Sequence, residues 1–350
     1  METRVIEIDP QNIDMALLRQ AAEVINNRGL VAFPTETVYG LGADALDSKA
    51  VSGIFQAKKR PLDDPLIVHI STMKELEDLA SDVPDIVYKL ADRFWPGPLT
   101  MVLKKSDRVP DIVTTGLDTV AIRMPSHPIA SRFIDMCACP LAAPSANLFS
   151  KPSPTTAMHV LQDLEGNVDM ILDGGATYIG VESTVIDVSS GPVKVLRPGG
   201  VSVEELTSLV GPVEVLSEGA VMERTPGKYP RHYSPNAKVL VVEYGYDQFE
   251  KATQAAETLV SRGASVGIMA SKEHEDLYQG NVKVLGPAND GRICASRLFS
   301  ILREFDSEKV DYIIAEGIPE KGLGRAVMNR IRKAAGSEEK AEEDMSDMAI

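Results

Sequence analysis

Two α/β domains are what the sequence predicts: a larger one on a sheet of mixed strand direction and a smaller one on a parallel sheet. In the first half, short β-branched runs alternate with segments of helical period, the pattern of helices packed on a sheet. Around 211–235 that periodicity stops, in a stretch holding Gly211-Pro212, Pro226-Gly227, Pro230 and Pro235. Beyond it a strand–helix–strand–helix–strand rhythm resumes, as in a small parallel sheet. A chain of 350 residues is also longer than one ordinary core supports.

Taken in order, 5–8 reads as a strand, and 14–26 places Ala, Leu, Ala and Val at helical spacing until Gly29 ends it. The run 30–33 is a strand stopped by Pro34. A helix over 50–57 runs into Lys58-Lys59-Arg60, whose charge suits the carbonyl end of the helix dipole. The run 66–70 is short and β-branched enough to be a buried strand. Helices follow at 73–79 and 86–94, strands at 99–104 and 120–123, a helix at 128–139 and a strand at 141–143. After a loop rich in Pro and Ser come a helix at 156–164 and strands at 170–173, 183–187 and 193–196. In the second half, 238–242, 265–269 and 310–316 are strands, and 249–262, 289–305 and 327–335 are helices. The chain thus divides into a domain at 1–211, a linker at 212–236, a second domain at 237–336 and a tail at 337–350, with no internal repeat.

Charge and cysteine usage narrow the function. A formal net charge of −15 argues against a broad, sequence-independent grip on nucleic acid, although a local basic cleft stays compatible with it. The tail sets six acids against Lys340 and has few apolar residues, so it is expected to be solvated and disordered. Cys137, Cys139 and Cys294 have no disulfide or zinc spacing and read as thiols of a reducing compartment. The N-terminus lacks a signal pattern and no apolar run could span a bilayer, so a cytoplasmic protein is expected, with no membrane partner.

Several segments carry the chemistry. Gly40-Leu-Gly42 and Gly322-Leu-Gly324 lack the third glycine of a dinucleotide loop. The segment 286–292 has the spacing of a phosphate loop, but Arg292 and Ile293 replace the lysine and the hydroxyl, and no obvious strand precedes it. Lys58 and Arg60, two apart in an extended turn, would point the same way and clamp a polyphosphate; a capped helix end is the alternative. In 142–147 small residues surround Ser145 and Asn147, with Ser153 and Thr156 close behind. Such a loop either donates to phosphate oxygens or caps the helix at 156. Thr35-Glu36-Thr37 follows a strand end, where α/β sheets bind ligands. Arg123 also ends a strand, where its guanidinium suits a carboxylate or a structural ion pair, and Arg197 repeats the pattern. His69, between Val68 and Ile70, reads in isolation as a core histidine.

Together these pieces resemble the threonylcarbamoyl-AMP synthase family, in its longer two-domain form known as Sua5 (the short form is called TsaC or YrdC). The matching stretches are 34–42, 58–61, 65–70, 95–100, 120–125, 143–147, 182–185 and 196–199, followed in the second half by 228–235 and 315–335. Lys-x-Arg with a distant Ser-x-Asn is that family's phosphate signature. The resemblance implies a YrdC-like open twisted mixed sheet with a large concave active-site face, plus a small C-terminal Rossmann-like parallel-sheet domain. It implies a nucleotidyltransferase that joins L-threonine, bicarbonate or CO2 and ATP into threonylcarbamoyl-AMP and pyrophosphate. A separate transferase would then modify adenosine 37 of tRNA, so tRNA contact is weak or indirect. Mg2+ is implied, bound mainly through the ATP phosphates.

Roles carried over by matching position give Lys58 and Arg60 as the catalytic pair. Asp64, Thr119, Ser145, Asn147, Ser153 and Arg197 complete the ATP-binding set, joined from the linker by His232 or Tyr233 if that segment forms a lid. Thr35, Thr37, His69, Arg123, Ala143 and Ser183 would hold threonine, with Arg123 on its carboxylate. Asp64 departs from the Asn common in relatives, and beside ATP an acid should face Mg2+ or solvent. An RNA-binding module of this fold is opposed by the acidic charge and the lack of aromatic-basic stripes. A carbamoyl-transfer enzyme of the hydrogenase-maturation type would bring acylphosphatase-like and zinc-finger parts, which are not visible.

Overall fold

The computed structural model describes residues 2–216 and 232–336, so most of the expected linker and the acidic tail lie outside the described residues. Two compact units emerge, one of Met1–Phe149 and Ser153–Lys228, the other of Ser150–Pro152 and Tyr229–Ile350.

The first unit is built on eleven strands: β1 (Arg4–Glu7), β2 (Val31–Phe33), β3 (Gly40–Asp44), β4 (Ile67–His69), β5 (Leu99–Lys104), β6 (Thr119–Arg123), β7 (Leu141–Ala142), β8 (Met170–Asp173), β9 (Thr184–Asp187), β10 (Lys194–Arg197) and β11 (Glu214–Val215). They form one sheet in the order β1-β8-β2-β3-β7-β4-β6-β5-β9-β10-β11. Its direction is mixed, as expected: β4 lies parallel to β6, whereas β5 runs antiparallel to β6 and β7 antiparallel to β4.

Its helices are α1 (Met15–Asn26), α2 (Ser48–Lys58), α3 (Met73–Leu79), α4 (Asp85–Phe94), α5 (Asp111–Thr114), α6 (Pro128–Cys137), α7 (Ala157–Leu164) and α8 (Val203–Val210). Local chemistry starts them. Asp14 and Asp47 cap α1 and α2, Thr72 with Glu75 and Ser202 with Glu205 form capping boxes, and Thr156 caps α7. The 145–147 turn therefore does not cap α7; Thr156 does so itself. Two elements that the sequence pattern did not predict, α8 just before the aperiodic stretch and β11 within it, extend the first unit up to its described end.

The two faces of the sheet are covered differently. One face carries the main core, where Val68, Ile122, Met101 and Leu103 meet residues of α2, α3, α4 and α7. On the opposite face, the described helices lie over only part of the sheet's width. There Val31, Phe33, Leu141 and Met170 pack under α1 and α6. Over β4, β6, β5, β9 and β10 its apolar floor is Ile67, Ala121, Val102, Val185 and Leu196, a cluster with no helical residue in it. Strand pairing puts His69, Arg123, Thr100 and Thr119 on that same face, because each lies an even number of residues from a floor residue.

The second unit holds β12 (Lys238–Val242), α9 (Gln248–Ser261), β13 (Val266–Ser271), β14 (Asn281–Gly286), α10 (Gly291–Glu308), β15 (Tyr312–Glu316) and α11 (Gly324–Ala335). All pairings are parallel, in the order β12-β15-β13-β14. The small Rossmann-like domain is thus as expected, with β14 added. That strand corrects one objection raised from sequence, since it directly precedes the 286–292 loop and α10 follows. The loop still does not form a phosphate cradle. Its N–H groups are spent on carboxylates, those of Arg292 and Ile293 on Asp290 and that of Ala288 on Glu273. No helix among the described residues is long and apolar enough to cross a membrane.

Candidate active site

The site is assembled by two loops laid edge to edge. The segment after β2 leaves the sheet at Pro34 and returns as β3. Gly40 and Gly42 read as loop glycines in the sequence, but they are strand residues. A Cβ on Gly42 would stand 3.0 Å from the Phe33 ring, and one on Gly40 would stand 3.3 Å from it. The 143–147 loop runs antiparallel to this segment. Leu41 N–H donates to Pro144 O at 2.8 Å, Ala146 N–H to Tyr39 O at 2.8 Å, and Gly40 bridges Ser145. Tyr39 holds the far side by donating its hydroxyl to Gly175 O at 2.7 Å, and burial pushes its pKa up.

Lys58 and Arg60 do not sit in an extended turn. Lys58 is the last residue of α2 and Lys59 takes a left-handed cap at φ 52°, so Arg60 N–H bonds back to Phe55 O. The two cations have separate partners. The buried Lys58 ammonium donates to Ser145 O and, at 2.5 Å, to Asn147 O, tying the Ser-x-Asn loop to α2 through its backbone. The Arg60 guanidinium donates to Asp64 O at 3.1 Å and Pro65 O at 2.9 Å, and lies 2.9 Å from the Asp64 carboxylate. Asp64 is fully buried and faces this arginine, not solvent. Asn147 donates its amide to Leu148 O.

The other end of the open face is built differently. His69 and Arg123 are register neighbours at the ends of parallel strands, and Thr100 is opposite Arg123. Arg123 Nε donates to Gly97 O, and its Nη2 lies 2.7 Å from Glu36 Oε1, with both side chains buried. Glu36 Oε2 accepts Ser126 N–H. The Arg123–Glu36 contact meets the distance of an ion pair but not the direction of a hydrogen bond, so both atoms remain without a hydrogen-bond partner. His69 Nδ1 has none either. Burial first, and the Arg123 charge second, push the His69 pKa down to about 3, so its ring is neutral at physiological pH.

Hydroxyls line this end. Thr35 donates to Val38 O at 2.6 Å, so the 2.8 Å contact with Thr37 Oγ1 uses the Thr37 proton and leaves Thr37 with acceptor lone pairs. Thr100 and Ser183 hydroxyls are 2.7 Å apart, and Arg197 donates to Ser183 O at 3.0 Å. Ser153 donates to Glu182. Ala143 is buried, with its N–H on Ile67 O.

The residues expected at the nucleotide do not all gather. Thr119 and Arg123 are four residues apart on β6, about 13 Å at a strand's rise. Arg60, Asp64, Ser145 and Asn147 lie toward the Thr119 end, whereas Arg197 is level with Thr100 at the Arg123 end. His232 and Tyr233 belong to the second unit. There the buried Tyr233 ring packs on Phe299 and under the Arg330 guanidinium, and His232 N–H donates to Lys333 O. Sequence reasoning named Glu36 within the strand-end segment but gave it no role, although it is the charged residue of the buried 34–42 segment. It also missed Thr100 and Glu182. The cysteines are free, with burial raising the pKa of Cys139 and Cys294 to about 12.

A family profile for Sua5, YciO and YrdC, described as "Telomere recombination", matches residues 23–199. A second, described as "Threonylcarbamoyl-AMP synthase, C-terminal domain", matches 201–336. The threonylcarbamoyl-AMP synthase of Pyrococcus abyssi is 48% identical over 93% of this chain and 96% of its own length. That of Bacillus subtilis is 44% identical over 94% of each. The crystal structure of P. abyssi Sua5 complexed with L-threonine superposes with a TM-score of 0.90 at 46% identity, covering 95% of this chain and 98% of that one. A large mixed sheet followed by a small parallel sheet is thus the architecture shared with these synthases, enzymes of the nucleotidyltransferase type. The chain belongs to the Sua5/YciO/YrdC family, in the two-domain form of its threonylcarbamoyl-AMP synthases.

Proposed function

We propose that this chain makes threonylcarbamoyl-AMP and pyrophosphate from L-threonine, bicarbonate or CO2, and ATP. The observation that carries the reading is the Arg123 end of the open face. A buried guanidinium and a buried carboxylate there face each other as an ion pair without a hydrogen bond, and beside them a neutral imidazole keeps Nδ1 without a hydrogen-bond partner. Buried polar atoms are normally paired, and leaving one unpaired costs about 1–3 kcal/mol. Donor beside acceptors is the complement of an amino acid, and the P. abyssi relative was solved with L-threonine.

In this account Arg123 takes the threonine carboxylate, and Thr35, Thr37, His69, Ala143 and Ser183 enclose the rest. Lys58, Arg60, Asp64, Ser145, Asn147 and Thr119 form the phosphate end, with Ser153, Arg197 and either His232 or Tyr233 completing the nucleotide's surroundings. Lys58 acts both as a charge beside the phosphates and as the tether of the Ser145–Asn147 loop. The α-ammonium first gives up a proton to solvent, the free amine adds to CO2 and releases a second proton as the carbamate forms, and a carbamate oxygen attacks the α-phosphorus, displacing pyrophosphate. Both partners are anionic, so the protein's work is positioning and charge neutralisation. Among the described residues no three His, Cys, Asp or Glu side chains are grouped to hold a metal. Mg2+ would be carried on the ATP phosphates, where it would offset their charge. Hand-off to a tRNA-modifying transferase, for the t6A37 modification, would use the product. A cytoplasmic location suits those substrates.

The test is pyrophosphate release from ATP and bicarbonate with each amino acid supplied in turn. Stimulation by L-threonine above all others is expected. Equal stimulation by several amino acids, or none, would sink the assignment.

A further inference from the structure

Glu36 is fully buried, and nothing in the reaction as written uses it. Its Oε2 is satisfied by Ser126 N–H at 3.1 Å, whereas Oε1 lies against Arg123 without a hydrogen bond. The Glu36 carbonyl accepts Ile179 N–H at 2.9 Å, and the neighbouring Thr37 carbonyl accepts Gly180 N–H, so the loop is held rigidly on both sides of the side chain. Next to it, Thr37 Oγ1 has spent its proton on Thr35 and offers lone pairs.

We infer that Glu36 is a specificity-determining residue that receives the α-ammonium of the amino-acid substrate, with Thr37 Oγ1 as second acceptor. The inference rests on the reading of this end as the threonine site. Its physical basis is charge balance. Arg123 alone would present a buried cation to any carboxylate. With Glu36 the pair is neutral, and a zwitterion can bind with each charge on its opposite, whereas a plain carboxylate meets Glu36 uncompensated. Glu36 also fixes Arg123, because Gly97 O and Glu36 hold two sides of the guanidinium and set the edge it shows to a ligand.

The experiment compares two ligands by calorimetry without ATP: L-threonine and 3-hydroxybutyrate, which keeps the carboxylate and hydroxyl but lacks the amine. Wild-type protein is expected to prefer threonine by on the order of tenfold or more. Glu36→Gln is expected to lose threonine affinity and to bind 3-hydroxybutyrate more tightly than wild type does, reversing the preference. A purely structural Glu36 would weaken both ligands together. Should Glu36→Gln fail to fold, the wild-type comparison decides alone, and Glu36→Asp should retain the threonine preference. Wild-type protein that binds threonine but does not prefer it to 3-hydroxybutyrate, or a folded Glu36→Gln with unchanged preference, overturns the role of Glu36. Wild-type protein that binds no threonine overturns the threonine site and this inference with it.

Discussion

The two ends of the open face solve the burial of charge in opposite ways. At the Lys58–Arg60 end, each cation is held by main-chain carbonyls of the loops it organises, and Asp64 adds a buried counter-charge. At the Arg123 end, polar atoms are brought together but left with unspent capacity. Cations at the first end shape the loops before any ligand arrives. Groups at the second, on the proposed reading, gain their last partners from the ligand. Substitutions should therefore cost stability at the first end and binding at the second.

Arg60→Ala is the largest expected effect. It strands the buried Asp64 carboxylate, so about 3–5 kcal/mol of stability is lost, read by denaturant unfolding. An Arg60→Ala variant with unchanged stability would break the contrast. Adding Asp64→Asn should recover part of the loss. Lys58→Met comes next. It removes two charge-assisted hydrogen bonds and should cost about 3 kcal/mol, with the 145–149 backbone exchanging its amide protons faster. Gly42→Ala should cost about 1–3 kcal/mol, because the added methyl meets the Phe33 ring, and Phe33→Leu should relieve much of it.

His69→Gln at the other end should change stability least at neutral pH while still weakening threonine. Its effect appears in acid. The folded ring stays neutral to about pH 3, whereas the unfolded ring binds a proton near pH 6.5, so the unfolded state holds more protons between those values. Wild-type stability should fall with pH through that window, and less steeply in His69→Gln.

Most of this frame was legible in the sequence. Periodicity gave the alternation of strands and helices, and the strand-end position of Arg123 and the Pro34 stop marked the buried polar end where the proposed threonine site lies. What escaped has physical reasons. The strand β3 looked like a loop because its glycines answer to the Phe33 ring of the paired strand, a contact between residues seven and nine apart that local pattern does not report. Helix α8 was announced by Ser202 and Glu205, a capping box in a segment the sequence pattern left without an element. The partners of Lys58, Arg60 and Arg123 are backbone carbonyls and buried acids, chosen by tertiary packing. Spacing alone placed the cations but not what they hold.

The claim that the Arg123 end is completed by its ligand is tested most directly at His69. With 15N-labelled histidine and His69→Gln for assignment, the His69 ring should be neutral at pH 6, and its Nδ1 resonance should move on addition of L-threonine. A ring that titrates near pH 6.5, or a resonance unmoved at saturating threonine, would contradict it.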